Sequence, residues 1–311
     1  MAKLDLTVEQ WNSARLVRDI AWFGFASAAT MRFLPYFALR LGATPLEVGL
    51  IASLPAVVLF LVNWLSDWWC RRYNSSLQAM ILPSILHRLV FILPAFAPFF
   101  PVQWRPLWII AAAMLPAVGQ GISSTVFILV MREAVSREYL PTLMARRKLW
   151  MSIAIGVGTL VAGLVLEALP FPQNYQIVFM LASAGSLISL WHLVRIRVES
   201  HEPPAPAPLV RMVVQQISSR DTRSVVLVTL TAFISFYFVV GVIPIHLQSM
   251  GASEGFISIF GVVELLAAAA STLLTVRLLR RLGHRSLVAV SMVATAAAAV
   301  ILGLAPACGS H

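Results

Sequence analysis

The chain has 311 residues, of which 59% are hydrophobic and only 12% charged, and its mean hydropathy is +0.84. A soluble domain carries roughly even apolar and polar shares, so this composition excludes a water-soluble globule and calls for lipid as solvent. The formal charge of +10 would favour nucleic acid only if the basic residues gathered on one face, and their spacing along the chain rules that out.

The first fifteen residues, MAKLDLTVEQWNSAR, mix acidic and polar positions and do not read as a signal peptide. They are expected to form a short interfacial helix anchored by Trp11. Beyond them the sequence falls into blocks of about 20 residues that are apolar all round, the length that crosses a hydrocarbon layer of about 30 Å as a helix. Nine such spans are predicted: Ile20 to Leu41, Pro45 to Leu65, Leu77 to Phe100, Pro106 to Met131, Leu149 to Leu169, Tyr175 to Val194, Val225 to Leu247, Glu254 to Val276 and Ser286 to Leu304. The blocks are too long and too evenly apolar for barrel strands, so the fold class is an all-α polytopic bundle.

The basic residues alternate by loop. With the N-terminus inside, the cytoplasmic segments hold Lys3, Arg15 and Arg18, then Arg71 and Arg72, then the group from Arg132 to Lys148, then Arg195 to Arg223, then Arg277 to Arg285, nineteen in all. The external ends hold Arg40 and Arg105, while Arg32 and Arg88 lie inside spans. That bias puts the N-terminus in the cytoplasm of a plasma (inner) membrane protein and makes the positive charge a matter of topology, with no nucleic-acid partner. Cys70 and Cys308 then fall on opposite sides, so no disulfide joins them.

An internal repeat organises the spans. FLPYFALRLGAT (Phe33 to Thr44) aligns with VIPIHLQSMGAS (Val242 to Ser253) at an offset of 209, pairing Pro35 with Pro244, Gly42 with Gly251 and Thr44 with Ser253. Thr44, with Pro45 behind it and Glu47 at the third helical position, has the form of a capping box. One helix later, LSDWWCRR (Leu65 to Arg72) aligns with LLRRLGHR (Leu278 to Arg285) at an offset of 213. A parallel repeat of this length, joined by a polar, Pro-rich segment, is the internal symmetry of a transporter made of two six-helix halves. The chain therefore divides into a six-helix half at 1–198, a cytoplasmic central loop at 199–224 and three helices of a second half at 225–311. By the repeat, three further helices are expected to be missing, as in a truncated chain or a fragment.

On these features the chain resembles the major facilitator superfamily, whose turn between helices two and three reads G-x-L-A-D-R/K-x-G-R-R. In that frame Leu65, Asp67, Arg71 and Arg72 match, and both glycines and the central basic residue do not. The fourth-helix pattern R-x-x-Q-G keeps Gln120 and Gly121 but has Ala117 in place of Arg. The fifth-helix glycine pattern keeps Gly158 and Gly163 with Thr159 in place of Pro, so proton-driven drug export is not supported. The resemblance implies alternating access of a small solute, with a proton or other coupling ion as a further partner. It also implies that Asp67 latches one half to the other, while Arg71 or Arg72 braces the turn against Glu133.

Charges within spans are costly and each calls for a reason. Arg32 and Glu264 lie at mid-membrane depth on the helices that resemble the family's first and eighth, which makes them candidates for a solute anion and a coupling ion; a structural ion pair is the plainer alternative. Gln120, with Ser123 and Ser124, is a third candidate, with close helix packing among Gly119 and Gly121 as its plainer reading. His87 and Arg88 read as interhelix bonding, and Asp19 and Glu167, near helix ends, as solvated. No P-loop, H-E-x-x-H, G-x-S-x-G or Cys/His cluster occurs, so the sequence offers no enzyme, metal or cofactor reading. The rival readings are a non-transporting membrane protein, receptor-like or an inactive remnant, and a subunit that needs a partner chain.

Overall fold

The computed structural model describes residues 6–198, the helix Gly255–Glu264 and scattered positions between 223 and 300. Contacts divide the chain into two compact units, one of Met1–Pro203 with Glu254–Val262 and the other of Pro204–Ser253 with Val263–His311. Among the described residues all regular structure is helical. Apart from those scattered positions, the predicted spans Val225 to Leu247 and Ser286 to Leu304, and most of Glu254 to Val276, lie outside the described residues.

The first unit begins with α1 (Leu6–Ala28), which runs without a break into a π turn (Ala29–Phe33) and then α2 (Leu34–Arg40). Pro35 has no N–H to give to the carbonyl four residues back, and its ring crowds that carbonyl, so the turn ahead of it widens. Residues 6–15 are thus not a separate interfacial helix. They continue into the first span and are stitched to the loops around them. Asn12 Nδ2 donates to the carbonyls of Ala134 (2.9 Å) and Arg197 (2.7 Å), and Arg197 N–H returns a bond to Asn12 Oδ1 (2.9 Å). Glu9 accepts from the backbone and hydroxyl of Ser136. Trp11 donates to the Arg195 carbonyl.

The turn into α3 (Pro45–Asn63) forms as its residues dictate. Thr44 N–H donates to Glu47 Oε2 (2.7 Å) and Thr44 Oγ1 accepts from Glu47 N–H (3.3 Å), a complete capping box. Gly42 just before it has φ +93°, and Gly251, its partner in the sequence repeat, has φ +72°. Both copies therefore turn through the left-handed region that glycine alone enters freely.

A short helix, α4 (Ser66–Cys70), carries the polar turn to α5 (Ser76–Arg88). After Arg88 the predicted third span changes to 3-10 geometry over Leu89–Phe91 and Leu93–Phe99, with a bend of 41°. Pro94 at the start and Pro98 inside the second piece deny it α-helical bonds. Three long helices follow: α6 (Arg105–Ala134), α7 (Leu140–Ala168) and α8 (Gln173–Leu193). The seventh starts nine residues before the predicted Leu149, because a charged stretch ends an apolar window without ending a helix. Among the described residues four helices are long and apolar enough to cross a membrane, or five with the bent pair counted as one.

Packing is closest where glycine faces backbone. A side-chain carbon at Gly119 of α6 would stand 2.6 Å from His87 N of α5, and one at Gly158 of α7 would stand 2.6 Å from the Phe25 carbonyl of α1. These contacts explain why α6 and α7 carry glycines there. A buried cluster of Leu16, Met80, Val126, Val130, Leu143 and Leu193 fills one end of the bundle. At the other end Phe37 stacks on Tyr175 at 4.7 Å, with Phe179 and Phe171 around it. Leucines and phenylalanines such as Leu46, Phe99 and Leu164 point outward, as they do when the surroundings are lipid.

Candidate functional site

The bundle of the first unit contains a buried charge cluster that ties α1, α5, α7 and α8 together. Asp19 on α1 lies 3.6 Å from an Arg88 amine of α5 and 3.5 Å from an Arg147 amine of α7, and all three side chains are more than nine-tenths buried. Ser189 of α8 links the first pair: its hydroxyl accepts from Arg88 Nη2 (2.8 Å) and donates to Asp19 Oδ1 (2.7 Å). Arg88 also donates to the carbonyls of Ser186 (2.9 Å) and Ser84 (3.0 Å). Arg147 donates to the Leu16 carbonyl and lies over the Phe127 ring at 4.6 Å. Nearby, Arg15 shares a 2.9 Å hydrogen bond with the His192 ring.

Asp19 is therefore not solvated, contrary to its reading as a helix-end residue. Its helix starts thirteen residues earlier, at Leu6, so it sits in the packed middle of the bundle. Arg147 and Arg15, counted among the loop charges, are buried too. Arg88 makes interhelix bonds as expected, and His87 packs between Phe23 and Phe91.

Beside the cluster lies a cavity of about 300 Å³, lined by Asp19, His87, Arg88 and Arg147, by Gln120, Ser123 and Ser124 of α6, and by an apolar wall of Ile20, Phe23, Met80, Phe127 and Leu193. Ser123 and Ser124 donate to carbonyls of their own helix, Gln120 and Gly121 respectively. The sequence missed the cavity, although Gln120 was singled out on other grounds.

Arg32 lies elsewhere. It belongs to the π turn, about 18 Å along the helix axis from Ile20 at 1.5 Å per residue. Its guanidinium rests on Gly261 of α9 (Gly255–Glu264), where an added side-chain carbon would come within 2.6 Å of it. Glu264, the last residue of α9, is exposed. Glu167, also exposed, has its carboxylate against Gly255 at the start of α9.

At the polar turn between α3 and α5, Arg71 bonds Asp67 one helical turn back, and Arg72 lies over the Trp68 ring at 3.6 Å. Neither arginine reaches Glu133, whose carboxylate accepts from the Ser76 hydroxyl at the start of α5. The expected Arg–Glu133 brace is thus replaced by a Ser76–Glu133 bond, because the arginines are held within their own turn. Burial, then the nearby Asp67 and Glu133 carboxylates, push the Cys70 thiol above its ordinary range.

A model of the Major Facilitator Superfamily matches residues 20–310, so the chain belongs to that family. Among solved structures, a D-xylose-proton symporter superposes with a TM-score of 0.60 at 12% identity, over 86% of this chain and 69% of the symporter. A peptide transporter POT in complex with alafosfalin gives a TM-score of 0.51 at 15% identity, over 86% and 68%. At such identities the likeness is one of fold. No curated protein matches. The chain is a multi-pass membrane protein of a solute-transporter family.

Proposed function

We propose that this protein moves a small solute across the plasma membrane by alternating access, with its N-terminus in the cytoplasm. The observation that carries the reading is Arg32: a permanent charge in a widened turn of a membrane helix, kept against a glycine of α9 that leaves room for it. Arg32 receives an anionic group of the solute and Glu264 takes the coupling proton or cation, while Gln120 serves the separate cavity inside the bundle. Asp67, with Arg71 as its counter-ion, serves as the cytoplasmic latch, and Glu133 with Ser76 holds the next two helices in register.

The test is flux into liposomes containing the purified full chain, over a panel of sugars, peptides, amino acids and organic anions, with and without a pH gradient. Saturable uptake of one solute class, lost in Arg32→Gln and uncoupled from the gradient in Glu264→Gln, is the expected result. No flux of any solute, with both variants indistinguishable from the parent, overturns the reading in favour of a non-transporting membrane protein.

A further inference from the structure

The charge cluster does not balance. Among the described residues two guanidiniums face one carboxylate, and both arginine–carboxylate separations, 3.6 and 3.5 Å, are longer than a close charge-assisted hydrogen bond of about 2.7–2.9 Å. Arg88 gives three of its five donors to Ser84, Ser186 and Ser189. Arg147 donates to the Leu16 carbonyl and pairs loosely with Asp19, and it also lines the cavity. A surplus buried cation amid apolar helices is expensive unless an anion answers it. Among the described residues the Gln120 side chain, also in the cavity lining, forms no hydrogen bond, and the His87 ring packs against Phe23 and Phe91.

We infer that this cavity is a binding site for a small amphipathic monocarboxylate, seated inside the six-helix half. Its carboxylate pairs with the Arg147 guanidinium and the Gln120 amide, and its apolar tail lies against Phe23, Met80 and Phe127. The volume of about 300 Å³ is at the small end for ligand cavities and suits a single short or aromatic acid. The apolar wall decides against a bare inorganic anion, which would gain nothing from it. The site is separate from Arg32, which lies along the helix outside the cavity lining. The inference does not depend on transport, because binding is read directly.

The probe is radiolabelled benzoate, measured by equilibrium binding to the full chain in detergent, with benzamide and chloride as competitors. Saturable binding is expected, displaced by unlabelled benzoate and other aromatic monocarboxylates but not by benzamide. Arg147→Gln is expected to weaken it by about tenfold or more, the loss of one charge-assisted contact. Gln120→Leu, which touches no ion pair, is expected to weaken it by a few-fold with the fold intact, so the result survives if Arg147→Gln fails to fold. Absence of saturable binding, displacement by benzamide as effective as by benzoate, or unaltered affinity in Gln120→Leu overturns the inference. Displacement by chloride at the same concentrations as benzoate overturns the choice of a carboxylate.

Discussion

Asp19 and Asp67 both face arginine, yet they sit in opposite surroundings. The Asp19–Arg88 pair is 6–7% exposed, in the middle of a bundle, whereas Asp67 and Arg71 are 38% and 37% exposed at a polar turn. The surface contact is the closer of the two, and it is the weaker in free energy: water already solvates both partners, and salt screens what remains. In the bundle the ions cannot return to water one at a time, so removing one partner strands the others. Distance alone is therefore a poor guide to what a contact is worth. The environment of each group sets the scale.

The largest expected effect comes from breaking the buried side of the contrast. Asp19→Asn keeps the shape and leaves two buried guanidiniums unanswered, at about 3–5 kcal/mol. Thermal unfolding in detergent should show a fall of several degrees or loss of folded protein, and an unchanged Tm would show that the cluster is hydrated enough to do without its acid. Packing gives a second contrast of the same kind. Gly158→Val drives a side chain into the Phe25 carbonyl and should cost about 1–3 kcal/mol, while Gly49→Ala on α3, where nothing lies within 4 Å, should stabilise by about 0.5–1 kcal/mol. Equal Tm values for these two variants would remove the distinction between the α1–α7 contact and the outer face of α3.

On the exposed side, Asp67→Asn should change unfolding by less than about 1 kcal/mol, with the difference vanishing in high salt. A drop as large as that of Asp19→Asn would mean that the turn is packed against something further. The finest readout is Cys70. Its raised thiol pKa leaves little thiolate at neutral pH, so maleimide labelling should be slow and should still accelerate with pH above the ordinary thiol range. Asp67→Asn removes a carboxylate that disfavours the thiolate, which lowers the pKa and speeds labelling at fixed pH. Labelling of Cys70 at the rate of a free thiol, in a chain carrying Cys308→Ser, would contradict the partial burial of that thiol.

Local chemistry was legible in the sequence where neighbours in the chain supply the whole motif. The Thr44–Glu47 cap needs four consecutive residues, and the paired glycines at 42 and 251 needed only the repeat, so both appear in the fold as read. The buried cluster was not legible, because its members come from four helices and each looks ordinary at home. Arg147 stands between Arg146 and Lys148 and passes for one of three loop charges, yet of these three it alone turns inward. Asp19 follows Arg18 near the edge of an apolar window, and the window says nothing about which face of the helix an acid occupies. Two signals were available: Asp19 falls one turn after Arg15, on the face that also carries Asn12, and Arg88 interrupts a span with no partner nearby in sequence. The Arg–Glu133 brace failed for the complementary reason, since the family motif fixes residue types but not which of two near acids an arginine reaches.

The π turn at Ala29–Phe33 has a consequence for how this chain tolerates change. A wide turn holds one residue more than an α turn, so it acts as slack in the thread of the first helix. The stretch before it is pinned by Asp19 and by Gly24 against α7, and the stretch after it by Phe37 on Tyr175. Loss of a single codon inside the turn would be taken up by its tightening to α geometry, with both pinned faces kept in phase. The same deletion two turns earlier would rotate every later contact by about 100°, the angle one residue subtends in an α-helix.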